Sequence, residues 1–159
     1  MLEIESNEVF KDVIGQELAI SLLSATLKHK RIAPAYLFTG SDGVGRRLTT
    51  KRFLEALITG GFSVSRERQR IEGLNHPDLM WIEPTYINQG RLIPQSLADK
   101  AVINKRISPQ IRLDQIRNLT SFLINQPIES SLSMAVIEDA EKMNEAAANA
   151  LLKTLEEPK

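Results

Sequence analysis

Residues 35–61 read AYLFTGSDGVGRRLTTKRFLEALITGG. The apolar and aromatic run AYLF, ending in glycine, has the pattern of a buried strand running into a tight loop. Leu48 to Thr59 returns to helical spacing through Phe53, Leu54 and Leu57, closed by Gly60 and Gly61. Strand, glycine loop and helix in that order form the frame of a phosphate-binding loop, G-x-x-x-x-G-K-[ST]. Gly40, Gly43 and Gly45 keep the bends, while Arg46 and Arg47 stand where the lysine and the hydroxyl residue belong.

Outward from this core the chain alternates helical and strand patterns. Val13 to Arg31 repeats Leu18, Leu22 and Ala25 at helical spacing, with Lys28, Lys30 and Arg31 placed to complement a C-terminal dipole. Residues 62–76 are polar and alternately charged and read as a solvated helix or loop. DLMWIEP is a second strand candidate, and 85–106, with Gly90 and Pro94 and no clear period, reads as a long surface connection. Leu113, Ile116, Leu119 and Leu123 mark a helix, and LSMAVIED a third strand whose apolar run stops at two acids. NEAAANALLKTLEEP predicts a helix capped by Asn144, with an apolar face of Ala147, Leu151 and Leu155 and a stop at Pro158. The alternation predicts an α/β domain with a mainly parallel sheet flanked by helices.

The totals narrow the chemistry. The chain has 159 residues, 42% apolar and 25% charged, enough for a real core, and 20 basic residues balance 20 acidic ones. No global field draws it to nucleic acid or membrane, so any DNA contact is local or shared with partners. Cysteine is absent and the two histidines are isolated, so neither disulfides nor a metal site is expected. The acidic N-terminus fits no secretory signal or transit peptide and no run is long enough to cross a bilayer, which sets the expected location as cytoplasmic.

The constellation with chemical content is the loop together with Glu138 and Asp139, which end the run MAVI. An apolar strand ending in acids beside a phosphate loop is the arrangement that positions Mg²⁺ and polarises water. Trp81 and Phe38 read as core aromatics, His76 before Pro77 as a turn residue, and Lys153, Glu156 and Glu157 as exposed helix charge.

IGQ at 14–16, AYLFTG at 35–40, NHPDL at 75–79 and AEKMNEAAANALLKTLEEP at 140–158 together resemble the delta-prime subunits of bacterial DNA polymerase III clamp loaders. The resemblance spans 10–159 and is weakest over 60–74 and 85–106. It implies a P-loop AAA+ domain within a pentameric machine, part of the DNA polymerase III holoenzyme, that opens the sliding clamp and sets it on primed DNA. It further implies that residues 1–159 are the N-terminal part of that nucleotide-binding-like domain, truncated before its later strands and lacking the lid and collar domains. In the family the tau and gamma subunits are the ATPases, whereas delta-prime subunits commonly have a disabled loop. Arg46 then occupies the place of the phosphate-binding lysine and Arg47 that of the Mg²⁺-ligating hydroxyl. Glu138 stands at the metal-binding acid and Asp139 at the catalytic glutamate. The four-cysteine zinc module that many members carry is missing, as is the Ser-Arg-Cys motif that supplies a trans-acting arginine.

Charge considerations favour a disabled loop. Arginine keeps the lysine's charge on a wide planar fork, but replacing the hydroxyl removes a metal ligand and adds a cation. Unit charges about 4 Å apart near a protein surface interact by up to ~4 kcal/mol, and about 1.4 kcal/mol already means tenfold in affinity. The expected function is a non-hydrolysing scaffold subunit with no catalytic residues, no required cofactor and at most weak residual ATP and Mg²⁺ binding. Its expected partners are delta and tau/gamma, with the sliding clamp and primer-template DNA reached through the complex. One alternative is an active tau/gamma-like ATPase. Another is a stand-alone nucleic-acid-binding module using the basic runs KRFLEAL and KHKR, whose binding would fall steeply with salt.

Overall fold

A computed structural model describes residues 6–99, 103 and 107–156. Glu157 and Pro158, the expected helix stop, lie outside the described residues, as does part of 85–106. The chain divides into two compact units, one reaching to Asp78 and rejoined by Ile128–Leu132, the other formed by Leu79–Pro127 and the chain from Ser133 onward. No helix among the described residues is long and apolar enough to cross a membrane.

The first unit is helical: α1 (Ser6–Val9), α2 (Glu17–Lys28), α3 (Arg46–Thr59) and α4 (Ser65–Glu72). Val9, Phe10, Val13, Leu23, Phe53 and Ala56 form its core, with Ile20, Leu27, Phe38, Leu48 and Leu57 packed against them. The helix expected over 13–31 is present but turned. Ile20, Leu23 and Leu27 face the core, whereas Leu18, Leu22 and Ala25 are exposed. Both faces of α2 carry apolar residues at helical spacing, so periodicity alone cannot choose between them.

The strand expected at AYLFTG is not formed. Residues 35–40 pair with no strand among the described residues, and Leu37 is 83% exposed. The aromatic content serves packing instead. The Tyr36 ring meets Phe53 edge-on at 4.9 Å, and its hydroxyl accepts the Ala33 N–H at 2.8 Å. An apolar run becomes a strand only when another segment supplies the ladder.

Helix α3 is buried from Lys51 to Ala56, two turns that include Lys51, Arg52 and Glu55. Charges so enclosed require partners. Arg52 reaches Asp12 at 2.7 Å and Glu72 at 2.9 Å, Lys51 reaches Glu72 at 2.7 Å, and Arg68 reaches Glu55 at 2.9 Å. The hydrogen bond from Arg52 lowers the Asp12 carboxyl below its usual range. Burial pushes the Glu72 carboxyl upward, and Lys51 and Arg52 outweigh it. Thus 62–76 is not merely solvated: α4 contributes Arg68, Glu72 and the fully buried Ile71. A count of polar residues missed this because each charge is matched by another distant in sequence.

In the second unit β1 (Leu79–Ile82) runs parallel to β4 (Met134–Ile137), with Leu79 opposite Met134. α5 (Leu113–Ile124) and α6 (Glu145–Glu156) pack around Ile82, Ile111, Ile116, Leu119 and Ala147. Asn144 caps α6 as expected, its Oδ1 accepting the Ala147 N–H at 2.9 Å. Leu151 joins the core, but Leu155 is 49% exposed. The connection expected over 85–106 contains a hairpin, β2 (Thr85–Asn88) antiparallel to β3 (Arg91–Pro94). Gln89 and Gly90 both have positive φ, 49° and 78°, the geometry of a tight hairpin turn. The described strands therefore make one parallel and one antiparallel pair.

Candidate functional site

The glycine loop lies in the first unit and leads directly into α3. Gly45, with φ of 95°, precedes the helix, and its carbonyl accepts the Thr49 N–H at 2.9 Å and the Thr49 hydroxyl at 3.0 Å. A side chain at Gly40 would meet Val44 Cγ1 at 3.0 Å, and Gly43 has φ of 78°. Both Gly43 and Gly45 sit where glycine has no steric penalty. Gln16, ahead of α2, donates from Nε2 to the Val44 carbonyl at 3.1 Å. Together with Ala19, Phe38, Thr39, Arg46 and Thr49, Gln16 and Val44 line a cavity of about 60 Å³.

Arg46 and Arg47 form the first turn of α3, which contains no acid. Cations at a helix N-terminus oppose the helix dipole. Asp42 offsets part of this, its Oδ1 lying 2.8 Å from Arg46 Nη2. The Arg46 guanidinium thus pairs with an acid of its own loop, and the Arg47 side chain lies exposed.

The two acids belong to the second unit. Glu138 continues the β1 pairing, its N–H donating to Ile82 O at 2.8 Å, and its Oε2 accepts the Trp81 indole N–H at 2.9 Å. Trp81 is therefore only half-buried and is more than a core aromatic. Asp139 has a left-handed backbone, φ 48°, and its Oδ2 lies 2.8 Å from Lys142 Nζ, which also donates to Gln95 Oε1 at 3.0 Å. The loop and the acids fall in different units, and within each the charged groups are engaged by neighbours. Of these partners, Gln16 and Lys142 lie in the quoted stretches IGQ and AEKMNEAAANALLKTLEEP and Trp81 reads as core from sequence, whereas Gln95 has no signal.

Other singled-out residues have structural surroundings. His76 is buried in a turn, and its Nδ1 accepts the Asp78 N–H at 3.1 Å. Asp78, 2% exposed, accepts backbone N–H groups of Ile128, Glu129 and Ser130. Burial raises its carboxyl and those three donors outweigh it, holding it at about 2. In KRFLEAL, Lys51 and Arg52 are enclosed in ion pairs, whereas KHKR is exposed. No cluster of His, Asp or Glu that could hold a metal occurs among the described residues.

Residues 15–159 match the family model described as DNA polymerase III, delta subunit. DNA polymerase III subunit delta' of Bacillus subtilis is 30% identical over 150 residues, covering 90% of this chain and 38% of the relative. The delta' subunit of Pseudomonas aeruginosa is 29% identical over 149 residues, with the same coverage. Subunit tau/gamma of Haemophilus influenzae is 28% identical over 151 residues, 95% of this chain and 20% of the relative. The chain thus spans about two fifths of the delta' relatives' length. No solved structure gives a significant match. With the match running from the residue before Gln16 through the glycine loop, the Asp78 turn and α6, the chain belongs to the DNA polymerase III delta-subunit family and is delta-prime-like.

Proposed function

We propose that this chain is a non-hydrolysing scaffold subunit of a DNA polymerase III clamp loader, contributing the N-terminal part of an AAA+ nucleotide-binding-like domain. The observation that carries the reading is the start of α3, where Arg46 and Arg47 replace the phosphate-binding lysine and the metal-ligating hydroxyl, and Arg46 pairs with Asp42. The acids agree with this: Glu138 accepts the Trp81 indole and Asp139 pairs with Lys142. An acid engaged by a cation of its own chain is a poor polariser of water. Gly40, Gly43, Gly45, Arg46 and Arg47 are thus a nucleotide-loop remnant, and Glu138 and Asp139 degenerate acids. The scaffold works in the cytoplasm, binding delta and tau/gamma and acting on the sliding clamp and primer-template DNA through them, with no required cofactor.

Co-purification with delta and tau/gamma subunits, together with phosphate release by the isolated chain, tests the proposal. Association without phosphate release above a no-protein blank is expected. Phosphate release that disappears on Asp139→Ala would overturn it. A second reading, an active ATPase, draws on the tau/gamma relatives, which are about as similar as the delta' ones. Arg46→Lys with Arg47→Thr should improve Mg²⁺-nucleotide binding by roughly tenfold or more if charge at the loop is what disables it. Equal affinity of wild type and double variant, by calorimetry, would remove that explanation.

A further inference from the structure

Gln16 is half-buried ahead of α2, in the IGQ stretch that the loop chemistry leaves unused. Its Nε2 lies 3.1 Å from the Val44 carbonyl, across 28 positions of sequence. A carbonyl only accepts, so the amide nitrogen must be the atom that faces it. Val44 sits between Gly43 and Gly45, both with positive φ. Glycines on either side leave the chain its widest conformational choice, and Val44 is the point where a tether from outside has most effect. Within the loop the Val44 N–H reaches Ser41 O at 3.4 Å, a long contact that holds little by itself. Gln16 and Val44 also line the same small cavity beside Arg46 and Thr49.

We propose that Gln16 is a positioning residue for the glycine loop, its side-chain amide fixing Val44 and so the shape of the turn from Gly43 to Arg46. The exchange test below is independent of the nucleotide-loop reading; only the ligand test rests on it. Gln16→Met keeps the length of the side chain without a donor, and Gln16→Glu replaces the donor by an acceptor. Hydrogen exchange on the whole chain should then speed up at the amides of 43–49 by roughly two- to tenfold, the equivalent of one lost hydrogen bond. The middle of α3 should stay unchanged. No acceleration at the loop in either variant overturns the proposal. Equal acceleration through α2, α3 and the loop also overturns it, because Gln16 would then be a general support of the unit. In the Arg46→Lys, Arg47→Thr background, Gln16→Met should weaken Mg²⁺-ATP binding by a similar factor, and unchanged affinity counts against positioning. If that background binds no nucleotide, the nucleotide-loop reading fails, and the exchange result still decides the role of Gln16.

Discussion

Replacing Asp78 by alanine should destabilise the first unit and flatten its response to acid. The carboxylate takes the Ile128 N–H on one oxygen and those of Glu129 and Ser130, at 2.8 and 2.7 Å, on the other. Alanine leaves all three donors without this acceptor, and a buried donor so stranded costs about 1–3 kcal/mol. Water can reach the exposed Ile128 and Glu129, so about 2–4 kcal/mol in total is expected rather than the full sum. The acid response follows from the carboxyl, which stands at about 2 in the folded protein against an ordinary 3.8. Because the folded value is depressed, the contribution is complete above pH 3.8 and is lost as pH falls toward 2. At 1.36 kcal/mol per pH unit its upper bound is about 2.4 kcal/mol. Screening at the exposed turn reduces this to between about 1 and 2.4 kcal/mol. Urea unfolding of wild type and Asp78→Ala at pH 7, 4 and 2.5 gives both quantities. At pH 2.5, still above the folded value, about two thirds of that contribution should be gone, so the gap should narrow by about 0.7–1.6 kcal/mol. A gap that stays constant from pH 7 to 2.5 would refute the linkage, and no gap at pH 7 would refute the clamp.

Arg52→Ala should cost about 1–3 kcal/mol in thermal or urea melts, since it removes the charge-assisted bonds to the part-exposed Asp12 and Glu72, while Arg68 still holds the buried Glu55. Asp12 and Glu72 are both lowered below their ordinary 3.8 and 4.5, so their stabilisation holds above those values and fades below them, and the variant should show a shallower loss between pH 5 and 3. Ile71→Ala should destabilise by about 2–5 kcal/mol and free 65–72 to limited proteolysis, because Ile71 is the fully buried apolar anchor of α4. A variant as resistant as wild type would mean that the ion pairs alone hold α4.

Local pattern determined a good deal of this protein. The stop at Gly60, the helix over 113–124, the strands at 79–82 and 134–137 and the Asn144 cap are set by residues within a few positions of one another, where steric and hydrogen-bonding rules act on the chain itself. That Arg46 and Arg47 follow the glycines, where the phosphate-loop pattern has a lysine and a hydroxyl residue, is likewise a matter of sequence alone. Tertiary structure decided what depended on distant partners. AYLF has strand composition but no ladder, α2 has two apolar faces and buries only one, and α4 is anchored through charges that Asp12, Lys51, Arg52 and Glu55 complete from outside it. The Trp81 indole on Glu138 and the tether of the loop, Gln16, are fixed in the same way. A hydrogen bond or ion pair joins atoms that only the fold brings together, and one sequence read along its length carries no record of that distance.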